Sequence, residues 1–311
     1  MMDTRLVRRA AWIAEIALGL ILGGICPAQS PVPSPVLWAD AVAHAAKTAP
    51  QARIVVLDIA GGHVLAASHL ADAARTLAAP GSTLKPLALY GLVSARRWDP
   101  GRRIACDRKL YIAGRSLVCS HPATGPMDAT EALAWSCNTY FAAVGAGLGR
   151  GELRRMLAQT GLLSQTGLAP GEAVAAFHEP QSRDEASLAL LGVDGVRATP
   201  LELAAAYRWL ALELERQPDS VAAQTVQAGL SDSASFGIAA SASLGGVPVA
   251  GKTGTANSGP GTPSHGWFVG LVPAQHPSAV VVVYLPAGHG ADAARAAADL
   301  LVHSPLKKSA P

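Results

Sequence analysis

Residues 80–86 read PGSTLKP, a serine and a lysine three positions apart, behind a proline-glycine pair and ahead of the apolar-rich run 87–93. Two readings fit this heptapeptide. Ser82 after Pro-Gly is a common opening for a helix, its hydroxyl accepting one of the backbone N–H groups that a first turn leaves unpaired. The same spacing puts Ser82 and Lys85 on one helix face, where the amine can reach the hydroxyl. A lysine deprived of water has a lowered pKa, and as a neutral amine it takes the serine proton while the oxygen attacks a carbonyl. The partial positive charge of a helix start favours the anion that develops. Pro86 is tolerated there because a first turn does not need its N–H.

Two more short motifs follow in the chain. Ser136-Cys137-Asn138 lies in a helical region and supplies a hydroxyl and an amide able to bracket the Ser82/Lys85 pair. Lys252-Thr253-Gly254-Thr255 lies in a strand-like run, where a cation and a hydroxyl can hold a carboxylate. The missing side chain at Gly254 lets a substrate backbone approach that strand. Each motif alone reads equally well as a helix cap or a turn with a solvated lysine. S-x-x-K, S-x-N and K-T-G in this order, each on a fitting element, are hard to obtain by chance.

The surrounding chain reads as a mixed α/β (α+β) fold. Residues 53–68, RIVVLDIAGGHVLAAS, form two short β runs around Gly61-Gly62, a hairpin signature. Ala/Leu-rich helical patterns dominate 127–215, including TPLELAAAYRWLALELE, where Thr199 caps and Pro200 takes the first helical position. A less regular stretch precedes strand-like runs at 247–256, 266–274 and 279–287, and a last helix covers 291–303. Strands at both ends with helices between them predict an antiparallel sheet assembled from distant pieces, flanked by helices, beside a mostly helical lobe.

Composition narrows the function classes. The 311 residues carry a formal charge of only +3, with 15% charged residues and no basic cluster beyond pairs such as Arg96-Arg97, so nucleic acid is not an expected partner. Arg5, Arg8 and Arg9 precede the apolar run Ile16 to Cys26 and then Pro-Ala-Gln-Ser, the order of a secretory signal. Glu15 and Pro27 bound a run far shorter than the ~20 residues a membrane span needs. A signal over 1–30, cleaved near 28–30, is therefore expected ahead of a retained anchor. A linker and first helix follow over 31–49, then a domain over 50–303 and a tail over 304–311. Export permits a disulfide, and Cys106 and Cys119 close a short polar loop suited to one; two buried thiols is the other reading. The nine histidines show no H-E-x-x-H run and the cysteines no C-x-x-C, so neither a metal nor a cofactor is expected.

PGSTLKP, SCNTYF, ATPLELAAAY, AGKTGTA and HGWFVGLVP together resemble the transpeptidase domain of penicillin-binding proteins, especially the class B kind. The resemblance spans about 50–303 and implies a sheet of about five antiparallel strands, a helical lobe and an active site in the cleft between them. It implies Ser82 as the acylated nucleophile and Lys85 as its base, with Ser136 relaying a proton to the leaving amine and Asn138 holding substrate and Lys85. Lys252, Thr253 and Gly254 would form the carboxylate-binding strand, and the backbone N–H groups of Ser82 and Thr255 the oxyanion hole. The implied substrates are D-Ala-D-Ala stem peptides of peptidoglycan, with β-lactams as covalent inhibitors, cell-envelope proteins as further partners and a location in the periplasm or on the outer face of the cytoplasmic membrane. The chain departs from the family in two places. Only about twenty residues separate the signal from the domain, which leaves carboxypeptidase activity beside cross-linking, and LGVDGVRATP has Val193 and Asp194 where G-Q-G is common. A β-lactamase and a non-catalytic envelope scaffold of the same fold are the rival expectations.

Overall fold

A computed structural model describes residues 35–122, 125–257 and 261–308. The expected signal segment lies outside the described residues, and no described helix is long and apolar enough to cross a membrane. In chain order the elements are α1 (Pro35–Thr48), β1 (Arg53–Asp58), β2 (Val64–Ser68), α2 (Leu70–Ala73), α3 (Lys85–Ser94), β3 (Lys109–Ile112) and β4 (Arg115–Val118). There follow α4 (Ala129–Ala134), α5 (Asn138–Ala146), α6 (Glu152–Gln159), β5 (Ala176–Phe177), α7 (Arg183–Leu190), β6 (Val196–Arg197) and α8 (Pro200–Arg216). The chain closes with α9 (Val221–Ser235), β7 (Ala250–Asn257), β8 (Ser264–Val272), β9 (Ala279–Leu285), α10 (Gly290–Val302) and α11 (Pro305–Lys308).

β1, β2, β7, β8 and β9 make one antiparallel sheet in the order β2-β1-β9-β8-β7. The run AVVVV on β9 is apolar at every position because both faces of this central strand are covered. Val280 and Val282 join the core shared with α3, α5 and α8, while Val281 and Val283 join the one beneath α1 and α10. Antiparallel strands usually show one wet face; here layers of helix on both sides remove the alternation. β2 and β7 are the edge strands; β7 pairs only with β8, and the backbone at its Gly254-Thr255 meets the turn at residues 80–82.

The expected capping of α8 is present. Thr199 Oγ1 accepts the Glu202 N–H at 3.1 Å while the Glu202 carboxylate accepts the Thr199 N–H at 2.9 Å. Two expectations need correction. The less regular stretch after residue 215 contains α9, whose small-residue face of Ala222, Ala223, Val226, Leu230 and Ala234 is buried at helical spacing. Alanine carries so little hydrophobicity that this stripe hardly shows in sequence. The polar loop between Cys106 and Cys119 is instead the β3–β4 hairpin, turning at Ala113-Gly114 with both residues at positive φ.

Candidate active site

Ser82 sits in a single 3₁₀ turn, Gly81–Leu84, that runs directly into α3. Neither the turn nor α3 begins with a side-chain cap bond, so the cap reading of Ser82 is not what folds this segment. Its neighbours hold it instead. Thr83 Oγ1 donates to the Pro80 carbonyl at 2.7 Å, and the Tyr207 hydroxyl of α8 donates to the Thr83 carbonyl at 2.8 Å. The Ala79 carbonyl accepts from His265 Nε2 at 2.8 Å and from Trp267 Nε1 at 2.9 Å, both on β8. A carbonyl only accepts, so His265 carries its proton on Nε2, and burial lowers its pKa. The carbonyls of Ala79, Pro80 and Thr83, anchored by buried donors on both sides of Ser82, leave its backbone little freedom. Lys85, the first residue of α3, donates its backbone N–H to the Ser82 carbonyl, an i to i+3 bond that places it one turn behind Ser82.

Lys85 is wholly buried. Its ammonium donates to the Ser136 carbonyl at 2.9 Å, to Ser136 Oγ at 3.2 Å and to Asn138 Oδ1 at 2.9 Å, and it lies 5.0 Å from the Phe141 ring centre. All three donors of the amine thus point at the S-x-N turn. Desolvation brings its pKa down to about 8, against a smaller upward pull from Cys119, Cys137 and Cys106. The turn that receives it is unusual: Ser136, between α4 and α5, has φ 57°, a left-handed conformation uncommon outside glycine. Cys137 then caps α5, its sulfur accepting the Tyr140 N–H at 3.5 Å.

On β7, Lys252 is also wholly buried, and its Nζ donates to the Thr253 carbonyl at 3.1 Å. It has no acidic partner among the described residues. Desolvation first, and then the Lys85 charge, hold its pKa well below the usual lysine value. The glycine of K-T-G also makes room for a neighbour within the chain. A Cβ at Gly254 would lie 2.5 Å from the Pro80 carbonyl oxygen and 3.4 Å from the Ser82 nitrogen. From the other side, a Cβ on Gly81 would lie 3.0 Å from the Thr255 nitrogen. The serine turn and the β7 edge therefore touch backbone to backbone, bringing the Ser82 and Thr255 segments together.

Ser82, Ser136, Asn138, Thr253 and Thr255 line one cleft of about 240 Å³, with Lys85 and Lys252 buried behind it. Sequence reasoning missed the rest of the wall. Ser116, Leu117 and Val118 come from β4, Cys119 and Ser120 from just beyond it, Val193 from the loop after α7 and Ile238 from the turn after α9. Arg115 pairs with Asp194 at 2.6 Å and tethers the β3–β4 hairpin to that loop, a use for the residues that replace G-Q-G. No Asp or Glu lines the cleft among the described residues.

Of the two readings left open for Cys106 and Cys119, a disulfide or two thiols, the structure has the thiols: Cys106, Cys119 and Cys137 are all free, and the Cys106 and Cys119 sulfurs stand 3.6 Å apart. The histidines and cysteines that look scattered in sequence also converge, the ligand atoms of Cys106, Cys119, His121 and Cys137 all lying within 4.8 Å of one another. Hydrogen bonding, from Cys137 above all, pulls the Cys119 pKa down, while the same contact and burial push Cys137 up.

The family model for the penicillin binding protein transpeptidase domain matches residues 52–303. The chain belongs to that family. The fold is shared with the transpeptidase domain of Burkholderia pseudomallei penicillin-binding protein 3, at TM-score 0.76 and 20% identity over 89% of this chain and 95% of that one. A peptidoglycan glycosyltransferase structure from Burkholderia ambifaria gives TM-score 0.74 at 20% identity, over 86% and 93% of the two chains. The D,D-transpeptidase domain of a peptidoglycan glycosyltransferase from Eggerthella lenta gives 0.68 at 20% identity, over 86% and 80%. The five-stranded antiparallel sheet with its flanking helices is the architecture expected of this transpeptidase family.

Proposed function

We propose that this penicillin-binding transpeptidase domain is a serine acyl-transferase of the cell envelope, acting on D-Ala-D-Ala stem peptides of peptidoglycan through an acyl-Ser82 intermediate. The observation that carries the reading is the buried Lys85, one turn behind Ser82, with its amine aimed at Ser136 and Asn138. With a pKa brought down to about 8, roughly a tenth of the chains hold a neutral amine at pH 7, enough for a general base. Lys85 takes the Ser82 proton as the oxygen attacks the penultimate D-Ala carbonyl. The proton passes through Ser136 Oγ to the departing D-Ala nitrogen, the C–N bond breaks, and the acyl group stays on Ser82. An amine then accepts it, forming a cross-link, or water does, completing carboxypeptidation.

The contact between the Gly81 and Thr255 backbones supports an oxyanion hole from the Ser82 and Thr255 N–H groups. Such donors are fixed before charge develops, and each contributes about 3–4 kcal/mol to the transition state. Lys252 and Thr253 take the terminal carboxylate, whose charge compensates a lysine that lacks an acidic partner.

Incubating the full chain with fluorescent penicillin and mapping the adduct by mass spectrometry tests this. A lasting label on Ser82, lost in Ser82→Ala, is the expected result. Label elsewhere, or D-Ala release by Ser82→Ala, would overturn it, and release of the adduct within seconds would convert the reading to a β-lactamase.

A further inference from the structure

We propose that Cys106, Cys119, His121 and Cys137 form a tetrahedral zinc site that pins the β3–β4 wall of the cleft to the Ser136–Asn138 turn. The distances have the size such a site requires. With Zn–S of about 2.3 Å and Zn–N of about 2.0–2.1 Å, the edges of the tetrahedron are about 3.8 Å between sulfurs and about 3.5 Å between sulfur and nitrogen. Cys106 Sγ lies 3.6 Å from Cys119 Sγ and 3.4 Å from His121 Nε2, and all four ligand atoms fit within 4.8 Å. A disulfide would need sulfurs at about 2.05 Å and would leave Cys137 and His121 out of the arrangement.

The donors are also prepared for a metal. His121 Nδ1 lies 2.6 Å from the Pro122 carbonyl, which can only accept, so the proton sits on Nδ1 and the Nε2 lone pair faces Cys106. The Asn138 N–H points at Cys119 Sγ at 3.1 Å and the Tyr140 N–H at Cys137 Sγ at 3.5 Å, bonds that favour thiolates at the start of α5. His121, Cys119 and Cys137 are buried and Cys106 is partly exposed, giving a closed four-ligand site with one accessible side. Three sulfurs and an imidazole in a tetrahedron suit zinc and exclude magnesium or calcium. Binding is not a redox step: Zn²⁺ displaces three thiol protons and leaves a complex of net charge −1 with neutral His121.

The position gives the site its purpose. Cys137 is the middle residue of S-x-N, and Cys119 follows the cleft-lining Ser116, Leu117 and Val118. One ion would thus hold the left-handed Ser136 turn, which carries the partners of Lys85, against the hairpin that walls the cleft.

Zinc content of the full chain, measured by native mass spectrometry and elemental analysis after export in zinc-containing medium, tests the proposal independently of any acyl transfer. One zinc per chain is expected, with the three thiols protected from alkylation until a chelator is added. Replacement by Co²⁺ should produce the visible thiolate charge-transfer and d–d bands of a tetrahedral sulfur-rich site. Cys106→Ser, at the partly exposed corner, and His121→Ala each remove a direct ligand and should weaken metal binding by more than the roughly 10–100-fold that loss of an outer-shell partner costs. The wild-type metal content decides the matter even where a variant fails to fold. A metal-free protein with three freely alkylated thiols, a Cys106–Cys119 disulfide in the exported chain, or stoichiometric binding of another metal would overturn the proposal.

Discussion

Acylation of Ser82 should follow the ionisation of Lys85. Burial brings this lysine from 10.5 down to about 8, so the neutral amine is about a tenth of the population at pH 7, half at pH 8 and nine tenths at pH 9. The second-order rate constant for fluorescent penicillin, followed by stopped flow, should climb about fivefold from pH 7 to 8 and less than twofold from 8 to 9, then level off. Stability carries the same titration. Between about pH 8 and 10.5 the unfolded chain binds the proton that the folded chain has released, so stability rises with pH through that window and is lowest below it. A shift of this size corresponds to about 3 kcal/mol, and comparing the pH dependence of wild type with that of Lys85→Met isolates it. A flat rate profile from pH 7 to 9, or a midpoint near 10.5, would refute the assignment of Lys85 as the base.

Two further substitutions probe β7. Lys252→Met should cut kcat/KM for a stem-peptide donor by roughly 30-fold or more, because a buried charge partner is worth about 2–5 kcal/mol, while barely changing turnover of the same peptide amidated at its C-terminus. Equal losses on both peptides would count against carboxylate binding. Gly254→Ala places a methyl 2.5 Å from the Pro80 carbonyl, so the serine turn and the strand must separate. Displacement of the Ser82 and Thr255 segments should slow acylation by about 100-fold with the far-ultraviolet circular dichroism unchanged, and an unaltered rate would show that the two backbones need not touch.

Much of the site was legible in the chain because its chemistry is local. Ser82 and Lys85 are three residues apart, Ser136 and Asn138 two, and Lys252 to Thr255 contiguous, so each motif survives as a short string whatever the rest of the fold does. The hairpin at 53–68 and the cap of α8 were legible for the same reason, since turn and cap preferences act within a few residues. α9 was not, because its buried stripe is mostly alanine. The local reading also left out two supports from afar. Ser82 looked like a cap, yet its turn is held by Trp267, His265 and Tyr207 from far along the chain. Gly254, read as room for substrate, also makes room for the Pro80 carbonyl.

Which residues carry the chemistry was thus written in the amino-acid order, through three motifs. The distances between them were not, because they depend on how the β7 edge, the serine turn and the α4–α5 corner pack. Packing alone buries Lys85 and Lys252 and so sets their protonation, since desolvation is a property of surroundings and not of a residue. Cys106, Cys119, His121 and Cys137 make the same point most plainly. Only Cys119 and His121 are close in the chain, and it takes the β3–β4 hairpin, folding back against the start of α5, to bring three sulfurs and an imidazole to one point.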